Sequence, residues 1–236
     1  MLNYSLHTPT NGELWLIGQL PPNPTIADVG YNAGDYTTDV LAQRPGARVF
    51  AFDPSRSALT NFQTAHGSDD RVSFANIALS NTVGQAEFHD YGNMSSSLVV
   101  RHSQATTAST AYIVPVSRLD AFMAEKGVQH IDLLKIDAEG FDLHVIEGAA
   151  GLLASNAIDV VMFEYADGWI SSRRFLQEAC AFLEGHNYQM FRLYNGFLTP
   201  FTYETRHENF SLGCMFVGLA THHRMQGLNK VRSVIF

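Results

Sequence analysis

Short apolar runs alternate along this chain with segments of helical period, and this pattern predicts a parallel α/β fold. The apolar runs predict buried strands at residues 26–29, 48–53, 72–78, 131–136 and 159–164. The segments of helical period predict helices at residues 36–43, 57–65, 119–126, 141–153 and 172–183. Strands that alternate with helices are typical of an open, doubly wound sheet.

Two parts of the chain depart from this alternation. Residues 85–91 and 111–116 alternate apolar and polar positions between turn residues, which predicts a hairpin inserted at about 81–116. Two late apolar stretches, 188–193 and 213–219, have no helix between them and predict an antiparallel hairpin at a sheet edge. We therefore expect a mostly parallel seven-stranded sheet with an antiparallel edge hairpin. One domain would span 1–236, with 1–23 as an N-terminal lead-in.

Composition narrows the classes of partner. The chain has 236 residues, 46% of them hydrophobic, which is enough for one well-buried core. Its net charge of −8 argues against a general nucleic-acid or anionic-membrane binder. Cys180 and Cys214 lack metal-ligand spacing and are expected to be reduced thiols. With an early apolar run of only 14–17, we expect a soluble cytoplasmic protein without nucleic-acid or membrane partners. A homo-oligomer stays open.

A glycine turn follows the first predicted strand. Gly30 and Gly34 would let the backbone approach a ligand closely. Phosphate-binding turns keep the helix N-terminus free of acids, whereas Asp28 and Asp35 flank this turn. A carboxylate there would repel a pyrophosphate and suit a cation. S-adenosylmethionine carries a sulfonium and an ammonium group, so it fits this turn better than NAD or ATP.

A second acidic position ends the second predicted strand. Asp53 follows Gly30 at close to the roughly 20-residue offset at which an acid meets the hydroxyl pair of a ribose. The alternative is a helix N-cap, which the following Pro54 and Ser55 would also suit. We favour ribose binding because of the offset.

Ligands bind an open α/β sheet at the carboxyl ends of its strands, where the strand order reverses. With the order 3-2-1-4-5, that crevice would lie between the first and fourth strands. The glycine turn 30–34 ends the first strand, and residues 137–140 end the fourth. The two segments richest in chemistry would therefore flank one crevice.

Lysine and carboxylates meet at the end of the fourth strand. Lys135 would be costly in a buried strand unless paired, so one interpretation is an ion pair with Asp137 or Glu139. The other places Lys135 or the acids against a substrate hydroxyl. Glu164 ends the neighbouring strand and would approach Asp137. Two such carboxylates share a proton, pair with a cation or hold a divalent metal such as Mg²⁺, and the sequence leaves these open.

These segments resemble the FkbM family of S-adenosylmethionine-dependent methyltransferases. The resemblance runs from about residue 25 to 167 and is most specific in Lys-Ile-Asp-Ala-Glu-Gly, residues 135–140. It rests also on residues 28–37, 51–54 and 76–80. The family often has Glu where this chain has Asp53, and Asn32 stands at the middle glycine of the more general turn.

The resemblance implies a Rossmann-like class I methyltransferase fold and O-methylation of hydroxyls, often on sugars or natural-product scaffolds. It also implies roles for individual positions. Asp137 and Glu139 would border the sulfonium and the acceptor, with Asp137 the first choice for a base or metal ligand and Glu139 the second. Cofactor contacts would come from Asp28, Gly30, Asn32, Gly34, Tyr36, Thr37, Asp53, Pro54, Asn76, Ile77, Ala78 and Asp137.

Two alternatives remain at this point. A dehydrogenase would need a phosphate-friendly turn, and a short-chain type would need a Tyr-x-x-x-Lys dyad, which the sequence lacks. A non-catalytic protein of the same fold would bind cofactor or a partner as a scaffold. It would keep residues 28–34 yet tolerate loss of Asp137 and Glu139.

Overall fold

A mixed sheet of eight strands forms the centre of the protein. The computed structural model describes residues 11–92, 96–98, 109–210 and 213–223. The strands of this sheet are β1 (Thr25–Val29), β2 (Arg48–Phe52), β3 (Val72–Ala75), β7 (Ile131–Ile136), β8 (Ile158–Tyr165), β9 (Tyr188–Tyr194), β10 (Phe197–Pro200) and β11 (Cys214–Ala220). Their order in the sheet is β10-β9-β11-β8-β7-β1-β2-β3.

Helices cover both faces of this sheet. They are α1 (Glu13–Ile17), α2 (Asp35–Gln43), α3 (Arg56–Ala65), α4 (Leu119–Glu125), α5 (Asp142–Glu147), α6 (Ala150–Ala154), α7 (Gly168–Ser172) and α8 (Leu176–Gly185). Because β7 is covered on both faces, consecutive residues of it pack into different cores: Leu133 belongs to one apolar cluster and Leu134 to the other. Among the described residues, no helix is both long and apolar enough to span a membrane.

The predicted α/β class and the parallel order 3-2-1-4-5 are confirmed by β3, β2, β1, β7 and β8. The predicted count of seven strands is wrong. Gly196 has φ +88° and lets the chain reverse, so that Phe197–Pro200 returns as an eighth strand against β9. The edge hairpin is therefore β9–β10. The last strand, β11, lies inside the sheet and pairs antiparallel with both β8 and β9.

A second, three-stranded sheet stands over the carboxyl ends of the parallel strands. It has the order β4-β6-β5, with β4 at Ala78–Leu79, β5 at Gly84–Asp90 and β6 at Thr110–Ser117. The predicted inserted hairpin is thus confirmed as β5 and β6. The predicted strand 72–78 is wrong at its end, because a tight turn from the Ile77 amide to the Ala75 carbonyl (2.9 Å) separates β3 from β4.

The lead-in contains a helix that the sequence pattern did not predict. In α1, Glu13, Leu16 and Ile17 are buried. The predicted helix 141–153 is also divided into α5 and α6. It breaks at Gly148, where a Cβ atom would collide with the carbonyl oxygen of Ser80. Cys180 and Cys214 are buried and form no disulfide bond.

Candidate active site

A cavity of about 730 Å³, including its open mouth, lies where the large and small sheets meet. Its floor comes from the turn after β1, the loop after β2 and the corner after β7, and its wall from the small sheet. The lining residues are Val29, Gly30, Asn32, Phe52, Asp53, Pro54, Ser55, Ser57, Ile77, Ala78, Leu79, Phe88, Ser96, Ser97, Leu98, Asp137, Ala138, Glu139 and Phe141.

The glycine turn and the corner after β7 touch each other. Gly30 has φ +84°, and a Cβ atom there would collide with the carbonyl oxygen of Asp137. The Asp137 amide donates to the Val29 carbonyl at 3.0 Å. Only glycine combines this backbone conformation with such a close approach. The predicted crevice between the first and fourth strands is therefore present.

Lys135 lies beneath this crevice and not in it. Its ammonium is 3.1 Å from Asp28 Oδ1 and 4.0 Å from Asp137 Oδ2, and it donates to the Gly30 carbonyl at 3.0 Å. Burial acts to lower the pKa of Lys135, but the carboxylates of Asp28, Asp137 and Glu13 outweigh it and raise that pKa above its usual value. Lys135 does not line the cavity, and its charge joins β1 to the corner after β7.

The other predicted residues around the turn lie outside the cavity and stabilise the turn. Thr37 donates from Oγ1 to Asp28 Oδ2 at 2.8 Å, and both side chains are fully buried. The ring of Tyr36 lies 5.4 Å from the Lys135 ammonium. Gly34 has φ +86° and packs against the hydroxyl of Tyr31. None of these residues lines the cavity.

Asp53 lines the cavity and shapes it. Its Oδ2 accepts from the Asn32 amide at 2.9 Å, and its Oδ1 accepts from the Ser55 amide at 2.8 Å. Burial raises the pKa of Asp53, while the hydrogen bonds from Ser55 and Asn32 act against that rise. The carboxylate thus joins the turn after β1 to the loop after β2. Each oxygen keeps a further lone pair for a ligand.

Of residues 76–78, the first supports a loop of the site from outside the cavity and the other two line the cavity. Asn76 donates from Nδ2 to the carbonyl oxygens of Asp53 (2.7 Å) and Ser55 (3.0 Å), and it does not line the cavity. Ile77 and Ala78 do line it, as does Pro54. Asn76 therefore holds the loop after β2 in place, and its two successors form an apolar wall.

The corner after β7 presents carboxylates to the cavity. Glu139 has φ +52° and Gly140 has φ +94°, a tight turn held by Asp142, whose Oδ2 accepts from the Gly140 amide at 3.1 Å. Burial and the neighbouring Asp137 raise the pKa of Asp142 to about 7. Oδ1 of Asp137 is buried and accepts no hydrogen bond from the described residues, although its side chain is 39% exposed. The exposed part of the Asp137 side chain lines the cavity.

The metal site predicted at Asp137 and Glu164 stays a prediction. Glu164 does not line the cavity. Among the described residues, the group of three ligating side chains that comes within metal-binding distance is His130, Asp132 and Asp159. That group lies at the opposite, amino-terminal ends of β7 and β8.

Several site residues were missed from the sequence. Ser97 donates from Oγ to the carbonyl of Glu139 at 3.1 Å and so ties the small sheet to the corner after β7. Tyr112, on β6, donates to Asp90 at 3.1 Å and accepts from the Arg56 amide at 3.2 Å, which ties the same sheet to α3. The serine-rich stretch at 95–97 was a signal for Ser97, although Ser95 lies outside the described residues.

Glu13 had no sequence signal, because it stands alone in the lead-in. It is 8% exposed, and its charge is coupled to those of Lys135, Asp137 and Asp28. Burial raises the pKa of Glu13 to about 7, although Lys135 acts against that rise. The buried polar cluster beneath the turn therefore includes a residue from α1.

The sequence of this chain is similar to those of known methyltransferases. Residues 28–190 match the Methyltransferase FkbM domain. "2-O-methyltransferase NoeI" of Sinorhizobium fredii is 28% identical over 159 residues, covering 62% of this chain and 65% of that protein. "Methyltransferase sdnD" of Sordaria araneosa is 27% identical over 162 residues, covering 56% and 62%. The chain thus spans slightly under two thirds of the length of these relatives.

Solved structures agree on the fold. The crystal structure of methyltransferase FkbM from Methylobacillus flagellatus has a TM-score of 0.54 at 13% identity, covering 83% of this chain and 44% of that one. A putative rRNA methylase from Clostridium thermocellum has a TM-score of 0.50 at 12% identity, covering 89% and 94%. At such identities the likeness concerns the fold alone. Because the family match covers well over half of the chain, this protein belongs to the FkbM family of S-adenosylmethionine-dependent methyltransferases.

Proposed function

We propose that this protein transfers a methyl group from S-adenosylmethionine to a hydroxyl oxygen of a small molecule, a sugar or a natural-product scaffold. The observation that carries the proposal is the partly exposed side chain of Asp137, which lines one cavity directly beside the glycine turn. The name of NoeI, a 2-O-methyltransferase, supports oxygen as the accepting atom.

The residues of the cavity fit the cofactor. Gly30 lines the cavity with its backbone, and Asp53 keeps acceptor capacity for a pair of ribose hydroxyls. Ile77 and Ala78 offer an apolar surface to an adenine ring. Asp137 offers negative charge to an ammonium or sulfonium group. These residues would hold the cofactor.

S-adenosylmethionine supplies an electrophilic methyl group. The chain must align the acceptor oxygen with the methyl carbon and remove one proton from the acceptor hydroxyl. The oxygen–carbon bond would form as the carbon–sulfur bond breaks, which would give a methyl ether and leave the cofactor as a neutral thioether. Alignment supplies roughly 7–11 kcal/mol of a barrier in favourable cases. A general base typically contributes about 10²- to 10⁴-fold, or roughly 3–5 kcal/mol. Positioning by the cavity is therefore the larger contribution.

Asp137 is our first choice for the proton acceptor, because its side chain is 39% exposed and lines the cavity. Glu139 is the second choice, since it lies two residues after Asp137 and lines the same cavity. The ammonium of Lys135 lies 4.0 Å from Asp137 Oδ2.

Calorimetric titration with S-adenosylmethionine tests the cofactor, with NAD as the competing ligand of a dehydrogenase. Methyl transfer from labelled cofactor to a panel of sugars and polyketide-like alcohols tests the reaction. Repeating the assay with a chelator and with added Mg²⁺ tests the metal hypothesis. Binding of the cofactor without transfer to any member of a broad panel would favour the scaffold alternative.

A further inference from the structure

A buried pair of side chains, Tyr31 and His66, lies on the side of the glycine turn that faces away from the cavity. Tyr31 stands between Gly30 and Asn32, both of which line the cavity, yet it is only 2% exposed and does not line it. Its hydroxyl is 2.6 Å from Nδ1 of His66, at the end of α3. His66 is 6% exposed. The turn is therefore anchored through the one side chain that it sends into the core.

The hydrogen-bond network fixes the tautomer of His66. Its Nε2 lies 3.2 Å from Thr38 Oγ1, and this hydroxyl donates its hydrogen to the Gly34 carbonyl at 2.9 Å. Thr38 must then accept from Nε2, because its single hydrogen is already used. Nδ1 is left as an acceptor for the Tyr31 hydroxyl. Neutral His66 thus satisfies both contacts and reaches the turn at two points, Tyr31 and, through Thr38, Gly34.

The surroundings leave the Tyr31 hydroxyl little freedom. Phe62 and Phe74 pack edge-on against the Tyr31 ring at centroid distances of 6.2 and 5.3 Å. A Cβ atom on Gly34 would collide with the hydroxyl, so the turn closes directly over it. Protonated His66 would carry hydrogen on Nδ1 and could no longer accept from Tyr31. The Tyr31 hydroxyl would have to turn within this packed space.

The charges around the pair favour the neutral imidazole. Burial lowers the pKa of His66; the carboxylates of Asp69 and Asp28 act against that, and Arg71 adds to it. Burial, with the charges of Asp28 and Asp35, raises the pKa of Tyr31 to about 12, so the phenol stays a donor. Both groups therefore hold the required state at neutral pH.

We propose that His66 is a positioning residue for the cofactor turn, acting through the hydroxyl of Tyr31 and the Gly34 carbonyl. Its neutral form holds residues 30–34 in the conformation that binds the cofactor. Its protonation reverses the hydrogen bond with Tyr31, leaves the hydrogen of the Tyr31 hydroxyl without its acceptor in this packed space, and weakens binding. This inference rests on the proposed function, because the ligand of the turn is taken to be S-adenosylmethionine.

The test is the dissociation constant for S-adenosylmethionine, measured by calorimetry between about pH 5 and pH 8. His66→Gln and Tyr31→Phe each remove the contact, and we expect roughly 3- to 10-fold weaker binding at neutral pH, the worth of one net hydrogen bond. His66→Asn offers an uncharged acceptor near the position of Nδ1, and should restore affinity while abolishing the pH dependence. His186, which caps α8 away from the cavity, provides the matched control as His186→Gln.

For the wild type we expect affinity to fall as pH drops through the depressed pKa of His66. If His66→Gln and Tyr31→Phe bind S-adenosylmethionine as tightly as the wild type and with the same pH profile, the inference is overturned and the proposed function stands. Absence of binding by the wild type at every pH would overturn the proposed function itself, and this inference with it. Unfolding midpoints are measured in parallel, and Tyr31→Phe, which keeps the ring, remains the decisive variant if a His66 variant unfolds.

Discussion

The carbonyl oxygen of Asp137 occupies the space that a Cβ atom on Gly30 would need. The end of β1 and the end of β7 thus meet without a side chain between them, directly at the floor of the cavity. Because their backbones touch, the end of β1 and the end of β7 are held in one relative position, and a ligand in the cavity meets them in that arrangement. It also makes the position unusually sensitive to substitution.

Gly30→Ala should destabilise the protein by roughly 2–4 kcal/mol and abolish cofactor binding, because the methyl group needs both a left-handed backbone and room that Asp137 fills. Gly196→Ala is the matched control: its φ is +88°, but nothing lies within 4 Å of the added Cβ. It should cost about 1 kcal/mol and leave binding intact. Urea unfolding and calorimetry measure the two effects, and equal losses for both variants would contradict the role of close approach.

Asp137→Asn should reduce turnover by about 10²-fold or more while changing cofactor affinity only slightly, since the amide keeps the shape but not the basicity of the carboxylate. Steady-state kinetics with labelled cofactor give the first quantity and calorimetry the second. Glu87→Gln, a substitution on the small sheet at a side chain 60% exposed, is the control. Near-normal turnover by Asp137→Asn would remove the assignment of the base and bring Glu139 forward.

Removing one member of the buried Lys135–Asp28 pair should be costly. Lys135→Met leaves Asp28 fully buried without its cation, and we expect a loss of roughly 3–5 kcal/mol in the free energy of unfolding. The double variant with Asp28→Asn should recover part of that loss, because no isolated charge then remains buried. Denaturant unfolding of the two single variants and the double variant closes the cycle. Simple additivity would show that the two residues do not act as a pair.

Glu13 should make stability depend on pH. Its pKa is raised to about 7 in the folded state, so the folded protein holds this proton more tightly than the unfolded chain does. Stability is therefore greatest below the usual pKa of a glutamate and falls as pH rises towards 7. Glu13→Gln should remove this fall and gain up to about 3 kcal/mol at pH 8, with no gain at pH 4. Chemical unfolding across this range measures it.

Glu125→Gln, on the exposed face of α4, controls for loss of one negative charge. It should leave the pH dependence of unfolding unchanged. A Glu13→Gln profile parallel to that of the wild type would show that the carboxyl group of Glu13 ionises freely in the folded protein.

The location of the site could be predicted from the sequence because strand–helix alternation fixes which strand ends share an edge. Gly30 and Asp137 follow predicted strands directly, Asp53 ends one, and all three line the cavity. Strands and helices can be located from side-chain periodicity, which is a local property of the sequence.

The predicted partner Asp137 is one of those observed, but the closer pairing of Lys135 with Asp28 could not be predicted, because it depends on register. Asp28 and Lys135 are directly paired across β1 and β7 in the observed register. A shift of one residue would have turned one of them to the opposite face. The role of Asn76 was hidden for a related reason: its side chain serves two carbonyl oxygens in a loop more than twenty residues earlier.

The residues between β3 and β4 number only two, yet those strands belong to different sheets. The chain passes there from the layer that bears Asp53 to a separate hairpin that supplies Phe88, Ser97 and Leu98 to the opposite wall. The hairpin can therefore be exchanged without changing the strand pairing of the central sheet. We expect a chimera that joins a relative's hairpin at Ser80 and Ser117 to take on the acceptor choice of that relative and to keep the cofactor affinity of this chain.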